Sequence, residues 1–232
     1  MNKKFTKEDL LPFCADPDNE LLRPWIKKPW RNEQTGDVWA SDGHFALIVK
    51  KSLVSGRFKK YSYGSKIKIP KADMRVTIDF AAIDAAYDKV EKYPEILKVT
   101  TDELDECLDC GGTGEVYWEY EDLDGCTHDM IAECPVCHGE KQVNVVVDKP
   151  TGRMLPEPQQ VFRLHRVLFD VRNFMHVVTT LRDLGFSQLV WVHEDPKDAN
   201  LFEVAEGITL LMMPMIGDGK SEDGLIDKTL KK

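Results

Sequence analysis

Trp39-Ala40-Ser41-Asp42-Gly43-His44-Phe45-Ala46-Leu47 reads as strand, tight turn and second strand. Val38 to Ala40 and His44 to Val49 carry β-branched and aromatic side chains that suit a pleated surface. Ser41-Asp42-Gly43 between them supplies side-chain acceptors and a permissive backbone for the turn. Upstream, Thr6 is placed to N-cap a short helix over Phe5 to Cys14, with Leu10, Leu11 and Cys14 on its apolar side and Asp16-Pro17-Asp18 ending it. Leu21 to Ile26 reads as another strand. Downstream, Lys66 to Ile69 alternates like a short strand, Phe80, Ile83, Ala86, Tyr87 and Val90 recur at helical spacing until Pro94, and Leu97 to Thr100 resumes as strand.

The same order returns in the second part of the chain. Val143 to Val147 and Val161 to Leu168 are strand-like, and Phe169 to Leu184 is amphipathic with Gly185 beyond its end. Leu189 to His193, Leu201 to Ala205 and Ile208 to Met213 then make three more strands. A helix followed by antiparallel strands, twice, predicts an α+β fold with halves at 1–100 and 149–216. The segment 101–148 is set apart by acidity, glycine and cysteine as an insertion, and 217–232 is a polar tail expected to be mobile, with Leu225, Ile226 and Leu230 solvated.

The 232 residues are 42% hydrophobic and 31% charged, enough for a sizeable core. A formal charge of -9 argues against indiscriminate adhesion to nucleic acid or acidic membrane, but the charge is uneven: +7 over residues 1–75 and -14 over 76–150. No run of about 18 apolar residues is present to span a bilayer, and the N-terminus has no apolar signal stretch, so a soluble, cytoplasmic protein is expected.

In a reducing compartment, Cys107-Leu108-Asp109-Cys110 and Cys134-Pro135-Val136-Cys137 point to metal before disulfide. Each C-x-x-C brings two thiolates to one ion, and two such knuckles complete a tetrahedron with no open position, a structural and not a catalytic arrangement. Cys126 and His128 lie between the knuckles, but four thiolates need neither; His138 follows a ligand directly, and Cys14 reads as a buried structural thiol. Cys107 to Gly114 matches C-x-x-C-x-G-x-G, and Cys134 to Gly139 matches it until Lys141 stands at the last glycine. This resembles the cysteine-rich zinc module of the DnaJ co-chaperones over about 35 residues; two of that family's four repeats are present, which implies one structural Zn2+. There is no J-domain signature.

Two other segments resemble the bacterial DNA sliding clamp, the β subunit of the replicative polymerase. Trp39 to Leu47 is similar to the clamp's strand-turn-strand motif, and Phe169-Asp170-Val171-Arg172-Asn173-Phe174 followed by a meander ending in Met213-Pro214-Met215 is similar to its last helix and terminal M-P-M. The resemblance implies a peptide-docking groove for replication proteins lined by Ser41, Gly43, His44, Phe45, Met213, Pro214 and Met215. Two positions depart from the family, which has arginine where Phe45 and Ile216 stand here. Without the insertion the chain holds fewer clamp domains than the bacterial subunit, so either a ring as homo-oligomer would need more copies than a dimer or no ring forms.

A clamp holds duplex DNA through basic side chains on phosphates. Lys27, Lys28, Arg31, Lys59, Lys60 and Arg172 are the candidate contacts, the loop lysines interleaved with Trp25, Trp30, Phe58, Tyr61 and Tyr63. Lys3, Lys4 and Lys7 flank the first helix and Arg182 lies on the third, whereas Asp79, Asp84, Asp88 and Glu91 make the second acidic. No Walker A loop, G-x-S-x-G or H-E-x-x-H motif is present, and His193-Glu194-Asp195-Pro196 reads as a turn. The sequence reading is therefore a non-enzymatic, clamp-like protein that docks peptides of replication partners and takes duplex DNA as a further candidate partner. The alternative is a zinc-ribbon interaction or chaperone-like module on a clamp-fold scaffold.

Overall fold

The structure is a computed structural model that describes residues 4–19, 21–62, 67–158 and 160–216. Lys3, Tyr63, Lys66 and the tail with Leu225, Ile226 and Leu230 lie outside the described residues. The described chain forms two compact units, one made of the residues up to Glu91 and from Pro156, the other of Lys92–Leu155.

The first unit is built on one eight-stranded sheet. Its strands are β1 (Trp30–Asn32), β2 (Val38–Ser41), β3 (Phe45–Val49), β4 (Lys59–Tyr61), β5 (Val76–Asp79), β12 (Gln188–His193), β13 (Asn200–Ala205) and β14 (Ile208–Met212), in the order β4-β1-β2-β3-β14-β13-β12-β5. β3 and β14 pair antiparallel, Phe45 opposite Met212 and Val49 opposite Ile208, so the two helix-plus-meander halves share one hydrogen-bonded ladder. Period-2 alternation divides the sheet's two faces. Phe45, Leu47, Val49, Ile208, Leu210 and Met212 enter the main core, while Ala46, Ile48 and Leu211 join Trp30 and Trp39 in a smaller cluster.

Three helices add to the main core: α1 (Lys7–Leu10), α2 (Phe80–Tyr87) and α3 (Val171–Asp183). Thr6 caps α1 as expected: its hydroxyl accepts the Asp9 amide at 3.3 Å, and its own amide donates to Asp9 Oδ2 at 2.8 Å. Asp170 caps α3 by accepting from the Asn173 amide, and the helix begins at Val171; Phe169 belongs to the short hairpin of β10 (Val161–Leu164) and β11 (Val167–Asp170). Gly185 has φ +92° and donates to the Arg182 carbonyl, closing the helix. Phe162, Phe169, Phe174 and Phe202 interlock behind it, edge-to-face except for the tilted Phe169–Phe174 pair.

Several elements differ from the sequence reading. Leu21 to Ile26 is not a strand: Leu21 is exposed, and Pro24, with its fixed φ, starts a 3₁₀ turn over Pro24–Ile26. Ile67 to Ile69 is also irregular, and the strands there are β4, which pairs parallel with β1, and β5, which pairs with β12. α2 stops at Tyr87, short of Pro94, with the Asp88 amide returning to the Asp84 carbonyl. Pro94 instead lies in a strand.

The second unit is a ladder of two ribbons. β6 (Lys92–Glu106) pairs with β9 (Gln142–Pro156), and β7 (Glu115–Glu121) pairs with β8 (Thr127–Glu133). This unit extends beyond 101–148 on both sides because the paired strands β6 and β9 begin at Lys92 and end at Pro156, whereas composition changes only partway along them. A two-stranded ribbon leaves an outward edge without ladder partners, where Pro94 is tolerated.

Candidate functional site: a four-cysteine centre and an exposed methionine segment

The two knuckles sit where the ribbons meet, each held by the other. The Cys107 amide donates to the Lys141 carbonyl and the Cys134 amide to the Gly114 carbonyl, both at 2.9 Å. Cys107 Sγ lies 3.8 Å from Cys134 Sγ and Cys110 Sγ 3.7 Å from Cys137 Sγ, and all four sulfurs lie within 4.8 Å of one another. A thiolate tetrahedron with arms of about 2.3 Å has edges of about 3.8 Å, so the spacing fits one tetrahedral ion. The donor set fits as well: Cys107, Cys134 and Cys137 are buried, and all four candidate donors are thiols. Burial pushes the Cys107 thiol up to about 12. Burial also acts on Cys110, but the Gly114 amide at 3.3 Å and the neighbouring thiols outweigh it and lower that thiol to about 7. These four cysteines form the candidate metal-holding group among the described residues. Cys126 is exposed, and His128 Nε2 pairs with Asp122 Oδ2 at 2.7 Å, so neither belongs to it.

The backbone repeats with the sequence motif. Gly111, Gly112 and Gly114 have φ of +55°, +69° and +82°, and His138, Gly139 and Lys141 follow with +50°, +80° and +69°. Gly114 is required twice over: besides its left-handed φ, a Cβ there would stand 2.8 Å from the Gly139 carbonyl oxygen. Lys141 adopts the same conformation with a side chain.

In the first unit, the two segments singled out in the sequence meet. The Met213 amide donates to the His44 carbonyl at 2.8 Å, and the Met215 amide to the Leu168 carbonyl at 2.7 Å. Pro214, which has no amide hydrogen to place, is buried between them. Met213 and Met215 remain 42% and 36% exposed and Ile216 79%. The turn opposite is built by side chains: Asp42 Oδ1 accepts the amides of His44 and Phe45 at 2.8 and 3.0 Å, and Ser41 Oγ donates to the Phe45 carbonyl at 2.6 Å. Gly43 and His44 are exposed. Phe45 is placed otherwise: it packs in the core against the Phe13 and His176 rings. Below the turn, burial pushes the Cys14 thiol up to about 12, the Ser41 amide opposing and Asp42 adding to it, so this thiol is inert. His176 and Leu168, which complete the surroundings, carry no distinguishing motif in the sequence.

The candidate DNA contacts are unequal. Arg31 donates to the Gly36 carbonyl at 2.7 Å and lies over Phe58, and Arg172 donates through Nε and Nη2 to the Pro156 carbonyl at 3.1 and 2.6 Å. Lys27 reaches the Pro17 carbonyl, and Lys59 stands over the Tyr61 ring. Lys28 and Lys60 are exposed. No helix among the described residues is long and apolar enough to cross a membrane.

Fold and site together define an α+β body with a candidate four-cysteine metal centre. No family model and no curated protein matches the chain. Among solved structures it is similar to the DNA polymerase III β subunit of Pseudomonas aeruginosa (12% identity, TM-score 0.42, 89% of this chain and 62% of that one). It is also similar to that of Caulobacter crescentus (11%, 0.41, 90% and 63%) and that of Borrelia burgdorferi (12%, 0.42, 90% and 60%). The chain thus spans about three-fifths of the length of these clamp chains.

Proposed function

We propose that the protein is a non-enzymatic docking protein whose Met213-Pro214-Met215 segment and Ser41-to-His44 turn receive short peptides of DNA-replication partners. A single structural Zn2+ on Cys107, Cys110, Cys134 and Cys137 maintains the second unit. The observation that carries the docking reading is the Met213–His44 backbone hydrogen bond, which brings the two motif segments side by side with their methionines exposed. Methionine side chains are flexible and polarisable and adapt to varied apolar anchors. Phe45 acts from beneath, holding the turn against the core. Bound at the cysteines, the ion fixes the ribbons and supplies no reactive position. Duplex DNA is a further candidate partner through Lys27, Lys28, Lys59 and Lys60.

The test is fluorescence anisotropy with a labelled peptide from the replicative polymerase of the organism that encodes the chain. Met213→Ala and His44→Ala should each weaken binding at least fivefold with the metal content unchanged. Binding that is lost only when residues 92–155 are removed would assign docking to the zinc unit instead. Light scattering with and without duplex DNA reports whether copies assemble around it.

A further inference from the structure

The second unit carries the net negative charge of the protein. Within Lys92–Leu155 there are 15 acidic and 5 basic side chains, whereas the full chain has a formal charge of -9. The same unit leaves large apolar side chains in water: Tyr117, Trp118, Tyr120, Met130, Ile131 and Val136 are all exposed. A lone two-stranded hairpin is marginal in water, and exposed apolar patches of this kind mark interaction surfaces.

The β7–β8 register sorts these side chains. Trp118 opposes Met130 and Tyr120 opposes His128 on one face, while Glu115–Glu133, Tyr117–Ile131 and Glu119–Asp129 alternate on the other. At the knuckle end, Asp109, Glu115, Tyr117, Trp118, Pro135 and Val136 enclose an open groove of about 430 Å³. Tyr117 is fixed there by its hydroxyl, which donates to Asp129 at 2.7 Å. Carboxylates beside exposed aromatic rings, with aliphatic side chains adjoining, form a complementary seat for a cation carried on an apolar chain. Arginine meets this best, because its planar guanidinium stacks on rings and pairs with carboxylates. A second copy of the same acidic unit is disfavoured by like charge.

We infer that this groove, which runs along β7 and takes lining from both faces of the hairpin at Glu115 to Trp118, binds an extended, arginine-bearing polypeptide segment, with guanidinium groups meeting Trp118 on one face and Glu115 and Tyr117 on the other, Asp109 adjoining, and an aliphatic neighbour on Pro135 and Val136. The inference rests on the proposed zinc reading, since the Cys110 knuckle forms one wall. The probe is a fluorescein-labelled Gly-Arg-Val-Arg-Val-Arg-Gly peptide titrated with the full chain, with metal per chain measured in the same sample. Citrulline for arginine, or glycine for valine, should each weaken binding at least tenfold. So should Trp118→Ala and the pair Asp109→Asn with Glu115→Gln, with metal retained. A benzophenone in place of either valine should crosslink to Trp118 or Val136 in the unaltered chain. Equal binding of the arginine–glycine peptide, groove variants within twofold of the parent, crosslinks elsewhere, or a dimer closed through this groove would each overturn the inference. Full metal with no peptide binding defeats this inference alone; peptide binding with no metal in the chain defeats the zinc reading alone.

Discussion

Arg182 Nη2 on α3 reaches both carboxylate oxygens of Asp84 on α2, at 2.9 and 2.7 Å. The acidic character of α2 is thus partly answered within the unit, and Arg182 is occupied. Both side chains are more than two-fifths exposed, so solvent screening keeps the pair weak. Arg182→Ala should cost under about 1 kcal/mol in urea unfolding and leave the salt dependence of any DNA binding unchanged.

The exposed lysines should behave differently. Removing one side chain that neutralises a phosphate reduces the salt slope of binding by about one. Lys28→Ala with Lys60→Ala is expected to lower the slope by about two in fluorescence titrations against duplex DNA. Arg31→Ala and Arg172→Ala, whose donors are held by carbonyls, should lower it by less and act mainly on stability.

Much of this arrangement was legible in the residues, for reasons that can be named. The core strands from Val38 to Val49 and from Leu189 to Met212 alternate, or run apolar between turn residues, and Thr6 and Gly185 mark helix ends by side-chain and backbone chemistry. The cysteines were legible because ligand spacing is local. β1, β4 and β5 are three or four residues long, with little room for periodicity, and their pairing is decided by neighbours distant in sequence. The β6–β9 ribbon was legible only in pieces because its exposed strands mix charge with apolar residues and include Pro94. The burial of Phe45 shows the limit of a resemblance: alternation along β3 sends its ring inward with Leu47 and Val49.

The knuckle backbones make a directional expectation. Lys141 occupies the left-handed conformation that glycine holds at position 114 in the other repeat. For an L-residue this costs about 1–2 kcal/mol. Lys141→Gly should therefore stabilise the second unit by about 1 kcal/mol, with the melting temperature of the metal-bound protein rising accordingly. Gly114→Ala should do the opposite and more strongly, since its Cβ meets the Gly139 carbonyl oxygen, a backbone atom.

Metal removal should act on one unit. Structural zinc contributes about 10–16 kcal/mol of apparent binding energy in small peptides, far more than the second unit's sparse buried apolar surface supplies. Cys107→Ser and Cys137→Ser, or chelation, should abolish the ordered amide signals of residues 92–155 while the aromatic core around Phe174 and Phe202 stays folded. Loss of the whole cooperative melt in either variant would contradict that independence.

Acid should loosen the far end of the β7–β8 hairpin by a separate route. The His128 ring and then the Cys126 amide hold the Asp122 carboxyl below its ordinary range, the Asp124 amide adding to them. A group whose folded pKa is depressed contributes stability above its unfolded value and loses it as pH falls through the folded one. The hairpin end should therefore be most ordered above about pH 4 and loosen below it, by an amount kept small by exposure. Carboxyl-detected NMR titration of Asp122 in the parent and in His128→Ala gives the check: the substitution should move its pKa upward toward the ordinary value. An unchanged Asp122 pKa would show that the backbone amides, and not the imidazole, hold the charge.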